Sequence, residues 1–491
     1  MIKDLFKDLT KYLPSYIIPS LVGIIALPII TRLFSPADYG NYVLVLAAVS
    51  ILSAIATAWI SASIIRFYPA YKLNNRIREF QGTIVKLILI SVTTIFIVTL
   101  SIFYIVRNHI SLTFYFLMRI GLLLFIATSI FSIFLSELRA KRQVVWYSFF
   151  TIWRSVIGLG FGIMLVIIFH YGAEGLLWGS FLSIAVVLPF LWKIAIGKFS
   201  LKIGSIHSSI VSEIVKYGFP IIVVNFASWI IMLSDRYVIN FFRGSEEVGI
   251  YSAGYAIPQG IIFAIVSLFL LASTPIAFNI WEKYGVKASQ KYLTRLTRYY
   301  LLIGFPATVG LSVLSKPVMH ILTAPAYFSG YIVISLIACS GFLSGLSSNF
   351  NFVFSYYKRT NLIMFCNLIC ATLNLGLNFL LIPKYGYIAA AITTFIAFAV
   401  GLFIIIIMSK HFLVWQFPFK SLGKTAIASG VMGIAVYHLS NSLTASNLIN
   451  LIVGICLGVI VYFVMLLLLH EFRSEEIKEI RALALKIFKP R

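Results

Sequence analysis

The sequence predicts an all-α integral membrane protein of about fourteen transmembrane helices, built as two parallel six-helix repeats plus two extra C-terminal helices. Three observations carry that prediction: the chain has little surface to give to water, its basic residues fall on alternate loops, and its two halves repeat. Of 491 residues, 60% are hydrophobic and only 11% charged, and the mean hydropathy is +0.99. A soluble domain keeps roughly a quarter of its residues charged. For most of this chain the solvent is therefore lipid.

A helix crossing a bilayer needs about 20 mostly apolar residues. In chain order the candidate spans are 13–34, 41–65, 83–106, 112–136, 145–170, 175–196, 214–242, 248–275, 298–315, 318–346 or a little later, 361–382, 386–409, 422–440 and 447–470. The tenth is the least defined, because apolar character runs on to Tyr357. The first run lacks a small-residue cleavage site after it and reads as a permanent helix.

Placing the N-terminus in the cytoplasm puts 31 of the 39 Lys and Arg residues on the cytoplasmic side. Six fall on outer loops or outer helix ends, and two, Arg154 and Arg236, fall inside spans. That is a positive-inside distribution, and it supports an even number of spans independently of hydropathy. The formal charge of +24 thus faces anionic headgroups, and no nucleic-acid partner is needed to explain it. Both tails carry an apolar helical face, Ile2, Leu5, Phe6, Leu9 and Leu13 in one, Ile477, Ile480, Leu483, Ile487 and Phe488 in the other. They read as amphipathic helices lying on the inner leaflet and touching membrane lipid.

The two halves match at nearly constant offset. Pro36-Ala37-Asp38-Tyr39-Gly40-Asn41-Tyr42 corresponds to Ser245-Glu246-Glu247-Val248-Gly249-Ile250-Tyr251, 209 positions on; Lys141-Arg142 to Lys358-Arg359, 217 on; Tyr171-Gly172 to Tyr385-Gly386, 214 on. A unit of six spans is even, so both copies enter the membrane in the same direction, a transporter-like arrangement. The expected division is an interfacial helix at 1–12, a six-helix bundle at 13–197, a cytoplasmic linker at 198–213, a second bundle at 214–409, two additional spans within 410–470, and an amphipathic tail at 471–491.

Three stretches carry a family likeness: Arg32-Leu33-Phe34-Ser35-Pro36-Ala37-Asp38-Tyr39-Gly40; Ser234-Asp235-Arg236-Tyr237 with Val248-Gly249-Ile250-Tyr251-Ser252; and Asn374-Leu375-Gly376-Leu377-Asn378 with Ile382-Pro383-Lys384-Tyr385-Gly386. At these residues the chain resembles the polysaccharide-transporter branch of the multidrug/oligosaccharidyl-lipid/polysaccharide (MOP) exporter superfamily, which includes the Wzx-type O-antigen flippases. The resemblance covers essentially the whole chain and says little about cargo. It implies two six-helix bundles around a central cavity, a MATE-like fold, and alternating access. The implied substrate is a polyprenyl-pyrophosphate-linked oligosaccharide, with a polysaccharide polymerase and chain-length machinery as associated partners in a bacterial inner membrane.

An Arg at mid-helix in lipid is costly and normally faces a cavity or a partner. Arg154 lies near the midplane of the fifth span; Asp235 and Arg236 lie in the outer half of the seventh; Arg119 sits a turn or two in from the outer end of the fourth; Arg66 and Arg32 end the second and first spans on opposite faces. Asp235 and Arg236 are neighbours, about 100° apart around a helix, so they need not pair. Given the pyrophosphate that the resemblance implies, guanidinium groups in a wet cavity offset the penalty of carrying that anion through hydrocarbon. Arg154, Arg236 and Arg66 are expected at successive depths, with Arg32 near the exit and Arg119 a further candidate. The bland readings stand beside these: Arg32 and Arg66 snorkel to headgroups, and Asp235 is either a structural partner of an Arg or the H+ or Na+ site of a coupled cycle.

No enzyme signature emerges. Gly158-Leu159-Gly160-Phe161-Gly162 lies inside a span with no strand before it, so it reads as helix packing and not as a phosphate loop, as do Gly175 and Gly179. Cys366 and Cys370 lack metal-ligand spacing and read as small core residues. Tyr68, Trp153 and Trp229 are able to stack on sugar rings, though most such aromatics anchor or pack helices. A cation-coupled exporter of drugs or metabolites on the same fold would want acidic cavity residues, whereas the deep charges here are mainly basic. A membrane polymerase would want a sizeable outer loop, and every outer loop is short. A flippase for the peptidoglycan precursor stays open.

Overall fold

The computed structural model describes residues 2–196, 207–442 and 446–472, and 91% of these are helical. Apolar runs of this length have no alternative: in hydrocarbon each backbone amide must bond within its own segment. The first half holds α1 (Ile2–Leu33), α2 (Pro36–Leu73), α3 (Ile77–Val106), α4 (Leu112–Ala140), α5 (Val144–Ile167) and α6 (Glu174–Ala195). The seventh span is α7 (Ser208–Trp229), a π turn at Ile230–Ser234, and α8 (Asp235–Arg243). The eighth begins as α9 (Ser245–Pro258), passes a second π turn at Gln259–Phe263 and runs into α10 (Ala264–Val313). There follow α11 (Ser315–Leu322), α12 (Tyr331–Tyr356), α13 (Thr360–Lys410), α14 (Phe419–Ser442) and α15 (Asn447–Leu468).

Among the described residues eleven helices are long and apolar enough to cross a bilayer. Two of them double back. In α13 the break is Gly386, with φ of 63°. The hydroxyl of Thr393 bonds the side chain of Asn378, although fifteen residues of straight helix would hold them about 22 Å apart. In α10 the break is Gly285, φ 70°, and the hydroxyl of Tyr292 donates to the carbonyl of Ser273 at 3.1 Å. Combined with ψ of −150° at Gly386 and −162° at Gly285, these φ values form a backbone that only glycine adopts without strain. Counting both arms of each broken helix and adding α14 brings the eleven to fourteen segments. The tenth span begins later than 318. Residues Ser315–Leu322 form a separate short helix, and a 3-10 turn at Pro325–Gly330 sets the start of α12 at Tyr331.

One core joins α2 through α7, with Phe80, Phe125 and Phe150 almost fully buried. Others join α10, α12 and α13, while α14 and α15 pack on α10 and α11. Lipid is as apolar as leucine, so close packing of small residues holds these helices together. The glycines of α5 and α6 serve this purpose. A Cβ on Gly179 would lie 2.2 Å from the Gly162 nitrogen, and one on Gly162 would press on Leu176 at 3.1 Å. Cys366 and Cys370 are buried free thiols, as their apolar setting indicates. The side chains of residues 2–11, the linker at 197–206 and the tail at 473–491 lie outside the described residues, so the amphipathic faces read for the two tails rest on sequence alone.

The repeated Pro36 and Ser245 segments meet. A Cβ on Gly40 would fall 1.9 Å from the carbonyl oxygen of Ser245, and one on Gly249 would fall 1.9 Å from the carbonyl oxygen of Pro36. The two contacts are reciprocal, as a pseudo-two-fold between the repeats requires. They close the halves together at the end of the bundle poor in Lys and Arg. Further ties run from the second half to α2 and its approach: Tyr237 to the Leu44 carbonyl at 2.7 Å, Trp229 to that of Ala47 at 3.1 Å, and Tyr327 to that of Phe34 at 2.9 Å.

Candidate functional site

Hydroxyl residues recur every three or four positions on two facing helices: Ser50, Ser53, Thr57 and Ser61 on α2, and Thr128, Ser132 and Ser136 on α4. That spacing places each set on one face. Between the two faces, and lined also by Tyr147 and Arg154 of α5 and Ser180 of α6, lies an open cavity of about 620 Å³. Most hydroxyls donate back to their own helix, Thr57 to the Ser53 carbonyl at 2.7 Å and Ser136 to that of Ser132 at 2.9 Å. Two pairs also meet across the helices, Thr57 with Ser132 at 3.2 Å and Ser129 donating to Ser53 at 3.3 Å, while the Thr128 hydroxyl is buried without a partner among the described residues.

Two arginines project into this space, Arg139 from the last turn of α4 and Arg154 from the middle of α5. Arg154 stands 5.7 Å from the Phe131 ring centroid and Arg139 stands 5.8 Å from that of Tyr147. Neither has an ion pair or hydrogen bond among the described residues, and no carboxylate lines the cavity. A guanidinium in a membrane protein normally has a counter-charge or faces water. Here two share one hydroxyl-lined cavity with no carboxylate in its lining, which leaves their counter-charge open to a ligand. Arg is suited to that ligand being a phosphate, whose oxygens it binds two at a time.

Arg236 is placed differently from expectation. It is 3% exposed and lies outside the cavity. Its guanidinium runs back along the helix, donating from Nη1 to the Met232 carbonyl at 2.7 Å and to Asp235 Oδ1 at 3.1 Å, so the two neighbours do pair. Long helical side chains point toward the preceding turn, which brings the Arg236 head past its neighbour's carboxylate. Asp235 is fully buried and also accepts from the Tyr251 hydroxyl, and the Tyr255 ring centroid lies 4.6 Å from the guanidinium. In this conformation the pair is a structural partnership.

The remaining candidates lie elsewhere. Arg32 donates to the carbonyls of Pro28 at 2.8 Å and Ile321 at 3.1 Å, pinning α1 to α11. Arg66 is exposed beyond Ser61, the last α2 residue of the cavity. Arg119 shares the α4 face of exposed Phe116 and Leu123, roughly opposite the cavity face. Only Arg154 of the candidate set reaches the cavity. Sequence reasoning misses Arg139 because it reads as a loop charge beside Lys141, although the stripe Thr128, Ser132, Ser136, Arg139 puts it on one helical face. Trp153 and Trp229 donate to backbone carbonyls, of Ser183 at 3.0 Å and Ala47 at 3.1 Å, and so pack helices. Among the described residues no group of His, Cys, Asp and Glu could hold a metal ion.

Comparison with known proteins agrees with this architecture. The family described as polysaccharide biosynthesis protein matches residues 5–281. An uncharacterized membrane protein of Methanocaldococcus jannaschii is 24% identical over 98% of both chains. The probable low-salt glycan biosynthesis flippase Agl15 of Haloferax volcanii is 23% identical over 70% of this chain and 69% of its own. Among solved structures, the lipid II flippase MurJ in an inward closed conformation superposes with a TM-score of 0.74 at 17% identity, covering 94% of this chain and 97% of that one. An inward-facing MATE family multidrug resistance transporter of the MOP superfamily gives 0.59 at 15% identity, covering 82% and 94%. At these identities the likeness shows the fold, which is that of the MOP superfamily.

Proposed function

Because the chain belongs to the polysaccharide biosynthesis protein family, we propose that it is a flippase moving polyprenyl-pyrophosphate-linked oligosaccharide between membrane leaflets. The observation that carries this reading is the pair of uncompensated arginines, Arg139 and Arg154, in a hydroxyl-lined cavity. A pyrophosphate supplies the missing negative charge, and serine and threonine oxygens accept from sugar hydroxyls. The excess of Lys and Arg on one side orients both termini to the cytoplasm, and the cargo moves from the cytoplasmic leaflet to the outer one. The cargo is a repeat unit of a surface polysaccharide, O-antigen among them, and the protein binds and reorients it without chemistry.

The Gly40–Gly249 contact is the seal that separates the cavity from the far side, and alternating access requires it to part. A drug exporter on this fold would place carboxylates in the cavity for organic cations; this cavity has two cations and no carboxylate. In cells lacking the protein, surface polysaccharide is expected to be lost while single lipid-linked units build up on the cytoplasmic leaflet. Mass analysis of extracted lipid, with impermeant labelling of the glycan in intact cells, checks this. Units that reach the outer leaflet unpolymerised would point to a polymerase, and unchanged glycan with altered sensitivity to toxic cations would point to a drug exporter.

A further inference from the structure

The second half of the chain carries a cavity of its own, of about 210 Å³, lined from α7, α12 and both arms of α13. Its polar groups are all neutral: Ser228, Ser344, Ser347, Ser348, Asn351 and Asn367. The Asn351 side-chain carbonyl is buried there with no hydrogen-bond partner, and the Asn367 amide makes no hydrogen bond among the described residues. A buried amide oxygen left unpaired is costly, so it is retained where something else supplies the donor.

The repeat gives this cavity its meaning. At the 217-residue offset fixed by Lys141-Arg142 and Lys358-Arg359, the positions matching Arg139 and Arg154 are Tyr356 and Ala371. The duplicated fold thus has two cations in one half and none at the equivalent places in the other. The cavities flank the α2–α7 contact: Trp229, whose ring donates to Ala47, stands between Ser228 of the neutral cavity and Leu46 of the cationic one.

The geometry points to a neutral sugar subsite in the second half, taking one ring of the oligosaccharide while Arg139 and Arg154 hold the pyrophosphate. Amides of asparagine and hydroxyls of serine pair with vicinal sugar hydroxyls as donor and acceptor together, and the Phe398 ring offers an apolar floor. A prenyl chain would leave the Asn351 carbonyl unpaired, and an anion would find no cation there. This inference rests on the flippase reading above and adds to it where the sugar binds.

The test uses the full chain in lipid nanodiscs and four probes: polyprenyl pyrophosphate alone, and the same lipid bearing glucose, galactose or N-acetylglucosamine. Wild-type protein is expected to bind at least one glycolipid about tenfold more tightly than the bare lipid, a difference of about 1.4 kcal/mol. Asn351→Leu and Asn367→Leu are expected to erase that preference and leave bare-lipid affinity unchanged, which also shows that the variants are folded. If wild type binds the bare lipid but prefers none of the glycolipids, the sugar subsite is overturned and the flippase reading stands. The subsite is likewise overturned if the Asn variants keep the preference or weaken bare and glycosylated lipid alike. If no probe binds at all, the flippase reading fails with it.

Discussion

Arg154→Glu is expected to reduce translocation of lipid-linked oligosaccharide by at least about 100-fold, with normal membrane insertion. Hydrogen bonds to a charged group are worth about 1.5–3 kcal/mol each, and one guanidinium gives a phosphate two of them. Losing about 3 kcal/mol corresponds to roughly two powers of ten, and the new carboxylate repels the anion besides. Arg154→Lys keeps the charge and loses the fork, so it should retain an intermediate rate. Because Arg154 has no ion pair or hydrogen bond to strand among the described residues, thermal stability should move little in either variant. Arg139→Glu should act in the same direction. Arg119→Gln, on the opposite face of α4, should leave transport within about twofold of wild type, since surface substitutions away from a site have small effects. Initial rates in vesicles, normalised to inserted protein, check the series. Equal loss in Arg119→Gln and Arg154→Glu would mean that the cavity is not where the anion binds.

The second large effect is expected at the reciprocal glycine contact. A Cβ at Gly249 would stand 1.9 Å from the Pro36 carbonyl oxygen, inside any tolerable separation, so Gly249→Ala must part the helix ends. Gly249→Leu parts them further. Neither glycine is in a conformation that demands glycine; both lie within helices and are required by proximity alone. Asn41, 7% exposed beside Ser245, reports on the seal. In an otherwise functional Asn41→Cys background the thiol should react slowly with an impermeant maleimide added from the side poor in Lys and Arg. Gly249→Ala should raise that rate by about tenfold or more, and Gly40→Ala should do the same because the contact is reciprocal. The double substitution should add little, as neighbouring sites sharing one contact are not additive. Transport should fall along with sealing. Unchanged labelling in both single variants would show that the halves close elsewhere.

Much of this architecture is legible in the amino-acid sequence. Apolar length marks the spans, and the offset match between Pro36–Tyr42 and Ser245–Tyr251 singles out the two segments that seal the halves. The glycines of α5 and α6 are readable as packing because their spacing places them on one helix face. The tenth span is displaced because hydropathy cannot see that Ser315–Leu322 and the turn at Pro325–Gly330 are separate elements. The site is harder to read. Hydropathy marks a buried charge but not the direction it faces, so Arg119, Arg154 and Arg236 look alike. Their difference lies in what each helix face meets: open space for Arg154, the Asp235–Tyr251–Tyr255 cluster for Arg236, and the exposed side of α4 for Arg119. The π turn at Ile230–Ser234 adds to this, since an inserted residue shifts the phase of the faces that follow. Arg139 is easily overlooked through its place in a basic loop, although the hydroxyl stripe of α4 leads straight to it.

The most direct test of the central claim is reconstitution of the full chain into vesicles with a fluorescent polyprenyl-pyrophosphate-linked oligosaccharide, followed by an impermeant quencher. Wild-type protein should bring the inner-leaflet probe within reach of the quencher, while Arg154→Glu vesicles should expose only the outer-leaflet share. If wild-type vesicles behave like protein-free ones, or if Arg154→Glu matches wild type, a cationic cavity carrying the pyrophosphate is the wrong account of this protein.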